Sequence, residues 1–463
     1  MSLTTLAAVS LPPLLQAVLL WRDPIGQLRS WSRRHGDIFT LCLPSTREVV
    51  AVGNPTAAHA ILTGDPTLSR TGSATGRVLP LLGEGCVLRQ DGDPHRQRRR
   101  LLNAVFHGDS MTSRGNVIAA LADRELDRWR TGRPLAALPA MQNITFAVIA
   151  DLVLGIDDPA QVRHLHEAVR RLSTPAALAG TWMSPVSDGW IRDRMWQRWL
   201  GRRTEVDQLL TSVITRRRSA PAGGTDALSL LLAAHPAGCD RHPNEQPAAV
   251  REQGDVDADD WLREELLALL MVGHETTATA LGWAVERLAR QPETARRLAQ
   301  SLDGGDDSYL SAFISEVLRW RPPVVDAVRE LREPATVLGH PLPAGTLVMV
   351  SPVLVHHNPG SYPEPDVFRP ERFLEPRRSQ VGDWIPFGGG RRHCLGAELA
   401  VFEMQIVLQQ LLKKPALAPA SRRPERSRLH GTMLVPSRGS RLLLTDRSLR
   451  PPLDVTQPPA DKG

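Results

Sequence analysis

The eleven residues "PFGGGRRHCLG", Pro386 to Gly396, put four glycines, three basic side chains and one cysteine into a single loop, and their reading decides the rest of the chain. A phosphate loop would need Lys and then Ser or Thr after its last glycine. A dinucleotide site would need Gly-x-Gly-x-x-Gly between a strand and a helix, and neither spacing is present. A zinc site would need further Cys, His or Asp ligands close in sequence, and only His393 is near. Two readings remain. One is a nucleophilic thiol, whose thiolate Arg391, Arg392 and a helix starting near Leu395 would stabilise. The other is a thiolate that ligates an iron cofactor.

The 463 residues suffice for two or three domains or for one large enzymatic domain. All but three of the 56 basic residues are Arg, yet the net charge of +6 is mild for this length. Acidic residues are interleaved with the basic ones, which argues against a nucleic-acid surface. Cys42, Cys86, Cys239 and Cys394 are far apart with no Cys-x-x-Cys pair, so a reducing compartment is expected rather than a disulfide scaffold or zinc knuckle. The apolar start "MSLTTLAAVSLPPLLQAVLLWRDP" lacks a basic leader and is interrupted by Pro12, Pro13 and Gln16. No membrane span and a cytoplasmic location are therefore expected.

Between Trp31 and Ala60 the runs "DIFTLCLP" and "REVVAVG", bounded by Gly and Pro, predict a small sheet. From about 95 to 330 apolar residues recur at three- and four-residue spacing, as in "GNVIAALADRELDRWRTG", "QVRHLHEAVRRLS" and "EVDQLLTSVITRRR", and helices dominate. A helix from about Asp257 to Arg290 carries "LLALLMVG", apolar on every side and hence buried, followed by the polar "HETTAT" (His274 to Thr279). Buried polar groups need a partner or a task; the plainest account of Thr276 is a bond back to the preceding turn. No repeat and no domain boundary is visible, and the tail from Ser448 reads as disordered. The fold class expected is mainly α with a minor β-sheet region. It forms one domain over 1–447, β-rich near 35–70 and 325–375 and α-rich elsewhere.

"FGGGRRHCLG" resembles the haem-binding loop of the cytochrome P-450 monooxygenases, with Phe387, Gly388, Arg392, Cys394 and Gly396 at that family's spacing. "EVLR" (Glu316 to Arg319) is similar to its Glu-x-x-Arg motif, and "RPERF" (Arg369 to Phe373) to its Pro-Glu-Arg-Phe segment. "HRQRR" places His95 and Arg99 at its His-x-x-x-Arg positions, and "GHETT" resembles its oxygen-activation motif. All five occur in the family's order.

The resemblance implies one α-rich domain holding haem b (iron protoporphyrin IX), with Cys394 as the thiolate metal ligand that favours O–O cleavage. It places His95, Arg99, Arg329 and Arg392 around the haem propionates, with charge-assisted hydrogen bonds as the rationale. Surface solvation is the plain alternative for His95 and Arg329. It makes Glu275 and Thr276 an acid and alcohol pair that relays protons to dioxygen, with Gly273 leaving room for O2. At the position before Gly273 the family usually has Ala or Gly, and this chain has Val272. Glu316 and Arg319, three apart on one helical face, read by themselves as an ordinary exposed ion pair; in the family they join the equivalent of Arg372 in a structural network. His393 is left without a task.

The implied reaction is insertion of one oxygen atom from O2 into a small apolar substrate, by hydroxylation or epoxidation. No dinucleotide motif exists in the chain, so the electrons are expected from a ferredoxin or flavodoxin-type partner and its NAD(P)H-dependent reductase. Arg96, Arg98 and Arg100 are the candidates for docking an acidic ferredoxin. A peroxide-driven or non-oxygenating enzyme of the same fold, a haem-binding sensor and a cysteine-nucleophile hydrolase are the alternatives. The loop Arg70 to Asp93, Leu178 to Trp199, Val324 to Val328 and Gly431 to Pro436 match the family's substrate-contacting regions, and their Trp, Met, Val and Leu suit an apolar ligand.

Overall fold

The computed structural model describes residues 6–44, 46–65, 68–79, 82–173, 190–219, 223–234, 259–374 and 381–446. The expected tail from Ser448 and much of Leu178 to Trp199 lie outside them.

Six helices carry the site: α1 (Gly92–Phe106), α2 (Ala137–Leu154), α3 (Pro159–Leu172), α4 (Asp260–Arg290), α5 (Ser308–Trp320) and α6 (Ala397–Leu412). The helix expected from Asp257 to Arg290 is α4, 31 residues long and free of proline until Pro292 prevents its continuation. It is buried on nearly every face because two core clusters grip it. Toward its start Leu266 and Leu270 pack with Phe146, Ile149 and Leu152 of α2. Toward its end Leu281, Trp283 and Leu288 pack with Phe313 and Val317 of α5 and with Met404 and Leu408 of α6. Each such large side chain, fully buried, contributes about 1.5–3 kcal/mol. Trp283 keeps its indole N–H satisfied by donating to Leu434 O at 2.8 Å. Helix α2 is long and apolar enough to cross a membrane, yet 67% of its span is buried inside the protein, as expected of a core helix packed against α4.

The predicted sheet forms, and it reaches across the chain. Strands β1 (Ile38–Leu43) and β2 (Arg47–Val52) pair antiparallel with Ile38 opposite Val52. β5 (Leu347–Val350) adds parallel to β2, β4 (Ala327–Leu331) adds antiparallel to β5, and β3 (Ser69–Arg70) closes the order β1-β2-β5-β4-β3. Val50, Val52, Val348 and Val350 on one face and Val49, Ala51 and Met349 on the other are all buried, which is why these short runs read as continuously apolar. The expectation of an α-rich remainder needs one correction. Leu417–Pro419, Ser427–His430, Met433–Pro436 and Arg441–Leu444 form further short strands after α6. Three- and four-residue strands carry too little alternation for periodicity to reveal.

Candidate active site

The loop quoted at the outset folds back on itself. The Cys394 N–H donates to Phe387 O at 2.9 Å and the His393 N–H to Gly390 O at 3.0 Å. Gly388 (φ +69°) and Gly390 (φ +61°) adopt left-handed backbone. At Gly390 a Cβ would run into Leu62 O and the Thr63 backbone, so only glycine admits this close pass. Cys394 then opens onto a cavity of about 370 Å³ that Phe387, Gly388, Arg392 and Gly396 also line. Burial raises its thiol, while a hydrogen bond from the Gly396 N–H and the positive charge of Arg99 act in the opposite direction. His393 receives a modest structural place: its ring lies tilted against Phe387, centroids 6.2 Å apart.

One wall of the cavity is basic. His95 and Arg99 come from α1, Arg329 from β4 and Arg392 from the loop. His95 and Arg329 are each 6% exposed, which excludes surface solvation. Burial, reinforced by Arg392 and Arg99, pushes the His95 imidazole down to about 4, so beside these guanidiniums alone it is a neutral hydrogen-bonding group. Burial and Arg392 bring Arg329 down to about 10, and its side chain donates to the Val328 carbonyl at 2.9 Å. Arg392 reaches Asp91 Oδ1 at 2.6 Å and the carbonyls of Val87 and Gln90. Asp91, which motif reading missed, also accepts from the Thr71 and Gly72 N–H groups. Guanidiniums, one of them buried and two partly so, outnumber the acid beside them, as a cradle for a dianion requires. Thiol, glycines and basic wall together make up the donor set that a haem-thiolate site would need.

The opposite wall is the middle of α4, where Val272, Gly273 and Thr276 line the cavity. A Cβ on Gly273 would stand 2.7 and 2.8 Å from Ile149 Cδ1 and Cγ1, so the close approach of α2 by itself already favours glycine here. The Thr276 hydroxyl donates to Val272 O at 2.9 Å, the back-bond that the sequence allowed. Glu275 is turned away from the cavity. Its Oε2 accepts from Gln142 Nε2 at 3.0 Å and its Oε1 lies 3.4 Å from His274 Nε2. Burial alone would raise the Glu275 carboxyl, but His274 and Gln142 outweigh it and bring it down to about 2. Neighbours on a helix differ by 100° in direction, and the expected acid and alcohol do not meet here.

Glu316, Arg319 and Arg372 come together as expected, and an exposed ion pair is excluded because Glu316 and Arg319 are both 0% exposed. Arg319 Nε donates to Glu316 Oε2 at 2.6 Å and Nη2 to Oε1 at 2.8 Å; Arg372 Nε and the Arg369 N–H donate to Oε1 at 3.1 and 2.8 Å. Arg319 Nη1 also donates to His356 O at 3.0 Å, and His356 Nε2 accepts the Ile385 N–H at 2.9 Å. The network therefore ends on the residue just before the cysteine loop. No motif marked His356.

The docking trio must be corrected. Arg96 and Arg100 are exposed, but Arg98 is only 2% exposed; it donates to Glu265 Oε2 at 3.3 Å and stacks on Trp261, 4.1 Å from the ring centroid. Glu265 also accepts the Val87 N–H at 2.9 Å, and Glu264 accepts that of Gly85 at 2.6 Å. Arg98 thus helps fasten the loop over the cavity to the start of α4. Two acids opening an apolar helical run were the one available signal.

A family model described as Cytochrome P450 matches residues 10–444. The chain is 36% identical over 437 residues to cytochrome P450 135B1 of Mycobacterium tuberculosis, covering 92% of this chain and 88% of that one. It is 33% identical over 447 residues to cytochrome P450 138 of the same species, covering 95% and 96%. Both names give a family and no substrate. Among solved structures, the retinoic acid bound cyanobacterial CYP120A1 superposes with a TM-score of 0.76 at 24% identity, covering 90% of this chain and 93% of that one. The cytochrome P450DA heme domain gives 0.76 at 19% identity, covering 95% and 96%. At such identities these likenesses concern the fold alone.

Proposed function

The chain belongs to the cytochrome P450 family, whose cofactor is haem b, and from that premise we propose a monooxygenase that hydroxylates or epoxidises a small apolar molecule with electrons from separate redox proteins. The observation that carries this reading is the Cys394 sulfur at the floor of a cavity of about 370 Å³, with buried basic groups on one wall and apolar side chains over the rest. Bound there, haem supplies the iron at which O2 is activated. Cys394 would ligate it, with the Gly396 N–H tuning the sulfur. His95, Arg99, Arg329 and Arg392 would hold its propionates.

Val87, Leu88, Phe106, Ile149, Leu269 and Val272 would exclude water and shape the space for an apolar substrate. The Thr276 hydroxyl donates to Val272 O and would have to leave that acceptor to offer its proton to the cavity. Glu275, held as a carboxylate by His274 and Gln142, would have to leave Gln142 and take up a proton before it could hand one on. Arg96 and Arg100 remain the proposed contacts for an acidic ferredoxin, and a cytoplasmic location goes with that partner.

The reduced, CO-bound spectrum tests the thiolate ligand, and turnover with a surrogate ferredoxin and reductase tests the reaction. A thiolate-type spectrum with O2-dependent product is expected; haem binding without product supports the sensor instead. Because Glu275 stands off the cavity, a peroxide-driven enzyme is a second reading, and product formed with hydrogen peroxide but not with O2 and the redox proteins would establish it.

A further inference from the structure

Glu275 can hand on a proton only after taking one up, and a supply stands beside it on α4. His274 is 0% exposed, and its Nδ1 lies 2.6 Å from Leu270 O, a carbonyl that can only accept. Nδ1 therefore carries a proton. The other ring nitrogen, Nε2, lies 3.4 Å from Glu275 Oε1, a contact not aligned as a hydrogen bond. Glu275 is itself held as a carboxylate, its Oε2 accepting from Gln142 Nε2 at 3.0 Å. With a proton on Nδ1 alone, His274 would aim its Nε2 lone pair at that carboxylate, setting two acceptors against each other in a buried place. The contact is satisfied only when Nε2 is protonated too, as an imidazolium beside the carboxylate.

The groups that face this pair come from three elements. From α3, the His166 ring stands 5.6 Å from that of His274 at 83° to it, stacked on Phe146 of α2 at 4.4 Å. The His166 Nε2 is buried without a hydrogen-bond partner, while the residue as a whole is partly exposed. Burial, then the charge of His274, push its imidazole down to about 4, so it is neutral and able to accept at one nitrogen while donating at the other. Glu167 and Arg170 flank it on α3 and pair with each other. From α2 come Gln142 and Thr145, whose hydroxyl donates to His274 O at 3.1 Å. His430, on the strand Ser427–His430, also helps to bring the Glu275 carboxyl down, and its Nε2 is engaged with Ser173 O at 2.8 Å. None of these groups lines the large cavity, so the cluster is separate from the place of the cofactor.

We propose that His274 is a positioning residue that supplies Glu275 with the proton it hands on, and that His274 is recharged from the surface through His166. In the step the His274 Nε2–H bond breaks and a Glu275 Oε1–H bond forms. An imidazolium and a carboxylate become a neutral imidazole and a neutral acid, so the buried pair keeps a net charge of zero and no counter-ion has to move. A neutral acid also holds the Gln142 amide less strongly than a carboxylate does, which frees the side chain to turn toward Thr276. The inference rests on the reading of the chain as a haem enzyme that uses O2, and it goes beyond the acid and alcohol of that reading by naming what charges the acid.

The test uses the haem-loaded protein in its reduced, CO-bound state, which is diamagnetic, with isotope-labelled histidine nitrogens read by magnetic resonance. One histidine, identified by its disappearance in His274→Asn, should show an imidazolium with both nitrogens protonated at neutral pH, where an unpaired imidazole is mostly neutral. The amide of His274→Asn can keep the bond to Leu270 O but has no proton to give. In that variant the infrared band of a protonated carboxyl should appear at higher pH than in the unmutated protein, and adding Glu275→Gln should remove it. O2 consumption with a surrogate ferredoxin and reductase, without added substrate, should fall about ten-fold or more in His274→Asn. In the unmutated protein it should decline with rising pH as the imidazolium signal is lost, a decline absent from the variant. His166→Phe, which preserves the stack on Phe146, should lower O2 consumption while the His274 signal stays. A His274 protonated at Nδ1 alone beside a Glu275 carboxylate, or O2 consumption and a pH profile that survive His274→Asn, would overturn the proposal. A missing thiolate-type CO spectrum, or no O2 consumption by the unmutated protein, would overturn the enzyme reading instead, and the His274 signal depends on neither.

Discussion

Replacing Glu316 by Gln tests whether the cysteine loop is held from behind. The Glu316 carboxylate accepts four hydrogen bonds, two from Arg319, one from Arg372 and one from the Arg369 N–H. Both guanidiniums are buried, at 0% and 5% exposure. The amide removes the negative charge and leaves two cations in the core with only backbone carbonyls such as His356 O and Pro365 O. Breaking a buried pair in this way costs about 3–5 kcal/mol. Against a total stability of about 5–15 kcal/mol, that is about a fifth or more.

Because the network passes through His356 to the Ile385 N–H, the loss should also reach the cysteine loop. Urea unfolding of the haem-loaded protein reads the first effect, and the rate of haem transfer to apomyoglobin reads the second. A loss below about 1 kcal/mol with haem transfer unchanged would refute the reasoning, since a buried carboxylate with four donors should not be dispensable. Adding Arg372→Gln to Glu316→Gln should cost less than the separate losses combined, because each change removes the other's partner.

Gly390→Ala should destabilise the protein by about 1–3 kcal/mol through its left-handed backbone alone, and more through the clash with Leu62 O, measurable as a lower melting temperature and weaker haem retention. Arg329→Met should speed haem loss while leaving the thiolate-type CO spectrum of the remaining holoprotein intact, whereas Cys394→Ser should abolish that spectrum. Arg96→Gln with Arg100→Gln should slow electron transfer from an acidic ferredoxin and flatten its salt dependence; Arg98→Met should act on stability instead. The pH dependence of that last variant has a defined sign. Burial, eased by Arg98, raises the Glu265 carboxyl to about 7, so its contribution favours folding at low pH and is lost as pH rises from about 4.5 through 7. Without Arg98 the decline should be steeper and continue to higher pH, as urea midpoints across that range will show.

The parts of the site legible in sequence were those where chemistry restricts the residue type. Glycines at positive φ and a buried Glu with two Arg partners leave few substitutes, and Gly388, Gly390, Glu316, Arg319 and Arg372 all occupy such places, with Cys394 opening onto the cavity as the loop's spacing implied. The long helix was legible for a different reason: a run buried on all sides has no polar face to confuse its period. What sequence hid was direction. "HETT" names an acid beside an alcohol, and only the packing of α2 against α4 turns Glu275 to Gln142 and leaves Thr276 at the cavity. In "RQRRR" four arginines look equivalent, yet one turn of helix separates exposed Arg96 from Arg99 beside the cysteine, with Arg98 buried between them. The strands after residue 416 were hidden because each spans only three or four residues and draws its register from partners elsewhere.

The charges around the cavity connect these findings. With His95 neutral, the basic wall holds the guanidiniums of Arg99, Arg329 and Arg392 against the carboxylate of Asp91. That leaves two positive charges, matching the two carboxylates that haem carries. Propionates held there, as proposed, would balance the wall, so that the charge of the site and the charge of its cofactor would cancel.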